Sequence, residues 1–478
     1  MANDIHVIRN ASTIVGYDGN AQGHAYLSDG DIAFEANGFI HVGGRYDGAF
    51  THEISGKDRM VLPGFVKVHC HSGEEPISKG LFEDEGTAAL WGNALYEYSN
   101  LIEISDSAVE ASLTVMLGDL MRSGVTTLVD IAGPHDSWLP TLAKSGARAY
   151  VAPGFREAAW HVEDSRRLDL IWDKGRGYEA FARALEVVDT ARAHPSGRLG
   201  GIVSPSQVET CSADLLQAAA EAARNRNVPI TVHAAQTMAE HEELMRRTGL
   251  TAVQYLEELG VLGEDLIIGH CIFVDGHSWT RQRTDIDLGL LAERRATVAH
   301  CPVTFSRSGM VLQSLGRYRR RGVNVALGTD SYPFNMLEEM RQAMICSRIA
   351  GRSVFDVGTA DVFEAATLAR RALGRSDIGR IALGAKADFL LVDLKHAAMQ
   401  PIYDPLRNLL HCAAERSVDA VYVDGRPVVE KGKPIHLDYD GALAELQEAQ
   451  NFAVRRLQAN DPAGRPSSLL ARRSLPAM

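Results

Sequence analysis

The chain has 478 residues, and its 49 lysines and arginines against 61 aspartates and glutamates give a formal net charge of −12. This acidic balance excludes a protein whose main partner is a nucleic-acid backbone, because such proteins need a basic surface. The 45% hydrophobic and 23% charged content is that of an ordinary globular protein and excludes a mainly disordered, collagen-like or coiled-coil chain.

The sequence also gives no reason to expect a membrane span or a signal peptide. No apolar run approaches the roughly 20 residues of a membrane span, and the N-terminus does not resemble a signal peptide. The six cysteines are scattered and form no Cys-x-x-Cys pair. We therefore expect a cytoplasmic protein with no membrane partner and no nucleic-acid partner.

The first 60 residues predict short β-strands that are separated by tight turns. The strand-like segments are residues 11–15, 32–36 and 39–42. Pairs such as Asp29-Gly30 and Asn37-Gly38 are typical of hairpin turns between short apolar runs.

From residue 61 onward, short apolar runs alternate with helical stretches. The strand candidates are residues 64–69, 126–131, 147–152, 200–204, 230–233, 266–270, 297–300 and 323–327. Strands that alternate with helices predict a parallel sheet, and continuous apolar runs are typical of strands buried on both faces. Eight such strands predict a closed (β/α)8 barrel.

After about residue 385 the short-strand pattern returns, in residues 387–393 and 420–429. We therefore predict an α/β protein, a (β/α)8 TIM-like barrel with a small composite β-sandwich domain built from both chain ends. The predicted boundaries are residues 1–60 and 386–436 for the small domain, 61–385 for the barrel and 437–478 for a C-terminal helix and tail. We expect the tail, from about residue 460, to be loose on the surface.

Histidines and one aspartate stand at the ends of the predicted barrel strands. His69 and His71 lie two residues apart, so their side chains point to the same side of the first strand. The fifth to eighth strands end at His233, His270, His300 and Asp330. Because barrel enzymes place their active sites at the carboxyl ends of the strands, this pattern predicts a metal site there.

Four segments carry motifs whose order and spacing agree with one known group of proteins. They are residues 61–71 (VLPGFVKVHCH), 122–130 (RSGVTTLVD), 326–330 (ALGTD) and 379–393 (GRIALGAKADFLLVD). Together they resemble the amidohydrolase superfamily, in its mononuclear-metal branch near the methylthioadenosine/adenosylhomocysteine deaminases, the triazine hydrolases and the phenylurea and molinate hydrolases.

This resemblance implies one divalent metal ion as cofactor. The implied ligands are His69, His71, His233 and Asp330. Nitrogen and carboxylate ligands suit zinc, which we choose, and also iron, cobalt or manganese. The resemblance further implies that Asp330 takes a proton from the attacking water and that His270 faces this water or the substrate. Relatives commonly form homo-oligomers, and we expect one here.

Gln236 departs from the pattern of the deaminases, which have a glutamate three residues after the fifth-strand histidine. An amide has no carboxyl proton to give and is not a base near neutral pH. Gln236 can still orient a substrate through hydrogen bonds, or it can simply cap the end of the strand. The substitution argues against ring deamination.

The loops that follow the strands carry aromatic side chains, which fit an aryl or heterocyclic substrate in a mostly apolar pocket. The alternative is that these side chains only pack the loops. The predicted substrate contacts are Gln236, His300, Trp91, Trp160, Phe155 and Asn335.

The sequence thus predicts a metal-dependent hydrolase that cleaves a C–N bond, or an activated C–S or C–X bond. The predicted substrate is a small neutral aryl or heterocyclic molecule of urea, carbamate or amide type, as in xenobiotic degradation. The predicted catalytic residues are His270, Asp330 and Gln236.

Two alternatives stay open. The first is an aminohydrolase that releases ammonia from a purine-like or pyrimidine-like heterocycle, with Glu209, Glu74 or Glu75 in place of the missing glutamate. The second is a non-catalytic metal-binding paralogue that acts through protein contacts.

Overall fold

The computed structural model of the chain describes residues 4–36, 38–98, 101–162 and 167–475. Its strands are β1 (His6–Asp18), β2 (Gly23–Glu35), β3 (Gly38–Val42), β4 (His52–Ser55), β5 (Arg59–Pro63), β6 (Phe65–Lys67), β7 (Val125–Ala132), β8 (Arg148–Phe155), β9 (Ala158–His161), β10 (Asp169–Trp172), β11 (Leu199–Gly201), β12 (Ser204–Pro205), β13 (Ile230–Ala234), β14 (Leu266–His270), β15 (Thr297–His300), β16 (Asn324–Leu327), β17 (Phe389–Asp393), β18 (Val418–Val423), β19 (Arg426–Glu430) and β20 (Lys433–Pro434). Its α-helices are α1 (Leu95–Tyr98), α2 (Asp106–Arg122), α3 (Trp138–Ser145), α4 (Lys174–Arg192), α5 (Ala213–Arg226), α6 (Met238–Thr248), α7 (Ala252–Glu258), α8 (Ile286–Arg294), α9 (Pro302–Arg307), α10 (Leu315–Arg320), α11 (Met336–Gly351), α12 (Thr359–Thr367), α13 (Pro405–Asn408), α14 (Tyr439–Asn460) and α15 (Ser467–Leu470).

Two parallel half-sheets form the barrel. One has the strand order β11-β8-β7-β6, and the other has the order β13-β14-β15-β16. Parallel bridges join them at both seams, Val203 to Ile230 on one side and Cys70 to Asp330 on the other. Each strand of the two half-sheets overlaps one of the eight predicted runs, so the predicted (β/α)8 fold is confirmed.

The barrel strands are buried on both faces, as their continuous apolar runs predict. Side chains such as Val66, Val129 and Ile267 form one apolar cluster, while Leu128 and Ile268, the sequence neighbours of Val129 and Ile267, belong to a second and larger cluster. The Ser212 side chain accepts a hydrogen bond from the backbone N–H of Leu215 at 3.3 Å and caps α5.

No helix among the described residues is both long and apolar enough to cross a bilayer.

The two ends of the chain share one small sheet. Its strand order is β20-β19-β18-β17-β5-β1-β2-β3, with β4 beside β1. The ends meet where β17 pairs antiparallel with β5, and Gly64 alone separates β5 from the first barrel strand. Phe34, Phe39 and Phe389 lie in the apolar core of this sheet.

One predicted turn is wrong. Asp29-Gly30 lies inside β2, where the pairing with β1 shifts between Ile8 and Ala11. The extra residue of this bulge is on β1, where Asn10 has a φ of 53°, and Asp29 continues β2 with a φ of 52°. Asn37, from the other predicted turn, lies outside the described residues.

A buried ion pair joins the barrel to the small sheet. Arg148, at the start of β8, donates to both carboxylate oxygens of Asp388 at 3.2 Å and to Asp424 at 2.7 Å. Burial alone would lower the pKa of the Arg148 guanidinium, but the two carboxylates hold it well above its usual value. The guanidinium therefore stays charged inside the protein.

The C-terminal segment is anchored at several points instead of lying wholly loose, although Leu469 and Leu475 are exposed. Gly118 leaves room for the Tyr439 ring between α2 and α14, since a Cβ there would lie 2.2 Å from the ring. Leu470 of α15 is buried with Leu101. Arg465 pairs with Glu97 at 3.1 Å. The predicted domain boundaries and the predicted homo-oligomer stay predictions.

Candidate active site

The ends of four barrel strands bring five polar side chains to one point. Asp330 Oδ1, which follows β16, lies 3.2 Å from His69 Nε2 and 3.4 Å from His71 Nε2. The same oxygen lies 3.7 Å from His270 Nε2 at the end of β14. His233, near the end of β13, places its Nε2 3.2 Å from that of His71.

The backbone turns sharply at several of these strand ends. His270 has a φ of 77° and Asp330 a φ of 60°. Ala235 and Cys271, beside the ligands, also have left-handed backbone conformations, with φ of 52° and 48°. Side chains other than glycine rarely adopt this region, and such strain gathers at functional sites. Here it accompanies the convergence of imidazoles and carboxylate.

Two of the histidine rings are oriented by backbone carbonyls. Nδ1 of His71 lies 2.9 Å from the carbonyl oxygen of Ile131, and Nδ1 of His233 hydrogen-bonds to the carbonyl oxygen of Ser206. An Nδ1–H that donates to a carbonyl leaves the Nε2 lone pair free, which is how metal-binding imidazoles are usually held.

The arrangement fits a divalent metal ion. Ligand atoms of His69, His233, His270 and Asp330 all lie within 4.8 Å of one another. Both ring nitrogens of His69 and of His270 are buried and make no hydrogen bond to any residue that the structure describes. Burial lowers the pKa of the His69, His233 and His270 imidazoles, so that these rings are neutral and their lone pairs can bind an ion.

Two residues carry charge at this centre in the metal-free protein. Burial opposes the ionisation of Asp330, but the neighbouring histidines hold the pKa of its carboxyl well below the usual range. Burial also opposes the charge of His71, yet the hydrogen bond to Asp330 and the charge of Glu75 raise the pKa of His71 to about 9. His71 is therefore protonated at neutral pH until an ion displaces its proton.

This proton predicts a pH dependence of metal binding. Below about pH 9 the apoprotein must lose the His71 proton, so we expect zinc affinity to rise about tenfold per pH unit between about pH 7 and pH 8.5. Calorimetric titrations in buffers of different ionisation enthalpy should show about one proton released per zinc at pH 7. An affinity that does not change over this range would contradict the prediction.

A cavity of about 600 Å³ opens from the metal-binding side chains towards the loops after β7 and β8. Of the predicted substrate contacts, Phe155, Trp160 and Gln236 line it. Sequence reasoning missed Arg156, which lies between two of these predicted contacts and also lines the cavity. Its neighbours in the sequence, Phe155 and Trp160, were the signal that could have found it.

A second, smaller cavity of about 150 Å³ adjoins the first. Its walls include the apolar side chains of Phe82, Tyr98, Ile102, Phe305 and Met310. The two cavities share Glu74, Glu75, Leu95, Gln236 and Asp330, which form a neck beside the candidate metal ligands.

The other predicted contacts lie elsewhere. Trp91 is 40% exposed and stacks on Trp279 with ring centroids 6.0 Å apart. His300 is buried, which lowers the pKa of its imidazole to about 3. Asn335 caps α11 through hydrogen bonds from the backbone N–H groups of the helix. None of the three lines either cavity, and their contact with a substrate stays a prediction.

Replacing Asn335 by alanine is expected to lower the free energy of unfolding by about 1 kcal/mol, the usual cost of a lost N-cap. The side chain also donates to Glu415 at 2.8 Å, and this bond would be lost too. Urea unfolding of the variant and the wild type measures the difference. Unchanged stability would contradict the assigned cap, and a KM measured in parallel would test substrate contact.

Residues 60–428 of the chain match the group of proteins described as "Amidohydrolase family". The chain belongs to the amidohydrolase family. Among its relatives is the 5-methylthioadenosine/S-adenosylhomocysteine deaminase of Pelotomaculum thermopropionicum, to which this amidohydrolase is 25% identical over 438 residues, or 90% of this chain and 95% of the relative. The predicted class, a metal-dependent hydrolase that acts on C–N bonds, is thereby confirmed.

Solved structures of similar fold include two zinc-bound proteins. An adenosine deaminase from Xanthomonas campestris with bound zinc has a TM-score of 0.80 and 23% identity, and the match covers 94% of this amidohydrolase and 98% of that chain. The atrazine chlorohydrolase from Arthrobacter aurescens TC1, complexed with zinc, has a TM-score of 0.79 and 19% identity, with 93% and 100% covered. At these identities the likeness shows the shared fold.

Proposed function

We propose that this amidohydrolase is an aminohydrolase that releases ammonia from an amino-substituted nitrogen heterocycle. The observation that carries the proposal is the cluster of His69, His71, His233, His270 and Asp330, of which His71, His233 and Asp330 line the larger cavity. The named deaminases that resemble the chain over nine-tenths of its length support the same reading. The comparisons thus favour the deaminase alternative of the sequence analysis over the urea or carbamate hydrolase.

A single zinc ion is the proposed cofactor. His69, His71, His233 and Asp330 would hold it, and a bound zinc would make a water molecule acidic near neutral pH. Asp330 takes a proton from the attacking water and passes it to the amino group of the substrate. That group then leaves as ammonia, while His270 stabilises the oxygen that the carbon gains.

A second candidate function is hydrolysis of a neutral urea or carbamate, our first prediction from the sequence. Gln236, which lines both cavities, favours it. The amide of Gln236 can orient a carbonyl but cannot carry a proton, and an acyclic urea needs no protonation of a ring nitrogen. The smaller apolar cavity would accept an aryl substituent of such a molecule.

Product mass spectrometry on zinc-loaded protein separates the two functions. The panel contains aminated purines and pyrimidines, amino- and chloro-triazines, N-aryl ureas and thiocarbamates. We expect ammonia together with a ring product in which oxygen replaces the amino group. Release of a substituted amine or a thiol from an acyclic carbonyl would overturn the aminohydrolase proposal.

A further inference from the structure

An aminohydrolase that acts on a heterocycle must protonate a ring nitrogen as water attacks the adjacent carbon. Gln236 occupies the position at which the deaminases have a glutamate, and an amide cannot transfer a proton to the ring nitrogen. Its backbone is fixed firmly, since the N–H groups of Ala235 and Gln236 donate to the buried carboxylate of Glu240 at 2.6 and 2.8 Å. The missing proton carrier must therefore be another side chain.

The neck between the two cavities limits the choice. A substrate whose reacting carbon is near Asp330 lies against the five residues that both cavities share. Apart from Asp330, two of these five residues, Glu74 and Glu75, have a carboxyl group. The third residue considered from the sequence, Glu209, lines neither cavity, and its Oε1 accepts a hydrogen bond from the Trp160 indole at 3.0 Å.

The surroundings of the two neck glutamates differ. Oε2 of Glu75 is fully enclosed and has no hydrogen-bond partner among the described residues. A buried carboxyl oxygen with no partner is costly when the carboxyl is charged, so this environment favours the protonated form of Glu75. The negative charge of Glu75 raises the pKa of His71 more than that of Glu74 does. Glu74 instead raises the pKa of Arg156 on the cavity wall. Of the two neck glutamates, Glu75 therefore interacts more strongly with the clustered histidines.

We propose that Glu75 is a further catalytic residue, the carboxyl that carries the proton between the attacking water and the ring nitrogen of the substrate. This inference rests on the proposed aminohydrolase function. It assigns to the loop after β6 a task that the deaminases assign to a residue after the fifth barrel strand.

The proton transfers balance. Glu75 donates its carboxyl proton to the ring nitrogen as the water oxygen forms a bond to the neighbouring carbon. Asp330 accepts the first proton of the water and gives it to the amino group, so the C–N bond breaks and ammonia leaves. The remaining hydroxyl proton returns to Glu75 as the C=O bond forms. One water is consumed, and Glu75 and Asp330 end in their starting states.

The electrostatics of the neck agree with this role. Burial and the neighbouring charge of Glu74 raise the pKa of Glu75 to about 8, although the charge of His71 opposes the shift. Asp330 also faces Glu75 and adds to the rise. The raised pKa favours the protonated form of the Glu75 carboxyl, which is the form that donates a proton.

The test compares variants of the zinc-loaded protein. Glu75→Gln is expected to lower kcat for ammonia release by about 100-fold or more, the usual range for loss of a general acid. Glu83→Gln, in the same loop but outside both cavities, is the matched control and should keep the wild-type kcat. Gln236→Glu added to Glu75→Gln should recover at least about tenfold of the lost kcat, because it restores a carboxyl at the neck.

An infrared measurement gives a readout that does not depend on turnover. The zinc-loaded wild type at neutral pH should show a protonated-carboxyl band that Glu75→Gln lacks. An active wild type together with an equally active Glu75→Gln variant, or the same band in both proteins, would overturn the role of Glu75 alone. A folded, zinc-loaded wild type that releases no ammonia from any heterocycle would overturn the proposed function and this role with it.

Discussion

Asp330→Asn is expected to lower kcat by about 1,000-fold or more and to weaken zinc binding by at least about 100-fold. Oδ1 of Asp330 lies 3.2–3.7 Å from the Nε2 atoms of His69, His71 and His270, so this one oxygen is close to three of the four clustered histidines. Asparagine keeps the shape of the side chain but removes its negative charge and its ability to accept a proton. The variant therefore loses both the charged ligand and the base.

Steady-state kinetics and zinc competition with a chelator measure the two losses, and circular dichroism reports whether the fold is kept. Asp189→Asn, on the exposed face of α4, is the matched control and should behave like the wild type. A folded Asp330→Asn variant that retains stoichiometric zinc and more than a tenth of the wild-type kcat would show that the centre is assigned wrongly.

Arg148→Met is expected to lower the free energy of unfolding by about 3–5 kcal/mol. Arg148 is 2% exposed and its partner Asp388 is 1% exposed, so methionine would leave a carboxylate buried without its cation. The penalty comes from this uncompensated charge, not from the loss of side-chain volume.

Urea unfolding, followed by tryptophan fluorescence, measures the loss. Arg294→Met breaks an exposed pair with Glu257, whose closest atoms are 2.6 Å apart, and should cost no more than about 1 kcal/mol. The double variant Arg148→Met/Asp388→Asn should recover part of the stability, because the stranded charge is removed. Equal losses in the Arg148 and Arg294 variants would contradict the explanation.

The barrel and the convergence of His69, His71, His233, His270 and Asp330 at its strand ends could be predicted because local sequence determines both. Strands buried on two faces have continuous apolar runs in their sequence. A polar residue that follows such a run, such as His233 or Asp330, lies at the carboxyl end of the barrel strands. The pair His69 and His71 needs only the alternation of a strand to point both rings to one side.

Other features depend on contacts between distant parts of the chain and leave no local pattern. Arg148 and Asp388 are 240 residues apart in the sequence, and no local pattern around either residue predicts that they pair. Asp29-Gly30 has the sequence of a turn but continues β2, because both residues lie where β2 pairs with β1, next to a bulge in β1. The placing of Glu75 at the neck, and of Trp91 and Asn335 away from it, depends on how long loops fold over the barrel, which apolar periodicity does not encode.

The helix α14 also bears on how the protein is made. The side-chain amide of Gln450 donates to the backbone carbonyls of Ile77 and Lys79, at 2.6 and 2.9 Å, and so holds the loop that carries Glu74 and Glu75. A ribosome synthesises this loop some 370 residues before it reaches Gln450. The barrel strands can assemble while the neck of the site is still unsupported. Between the completion of β16 and the synthesis of α14, the nascent chain would therefore have its barrel histidines in place but its substrate loop unsecured, and it would acquire turnover only after α14 has docked.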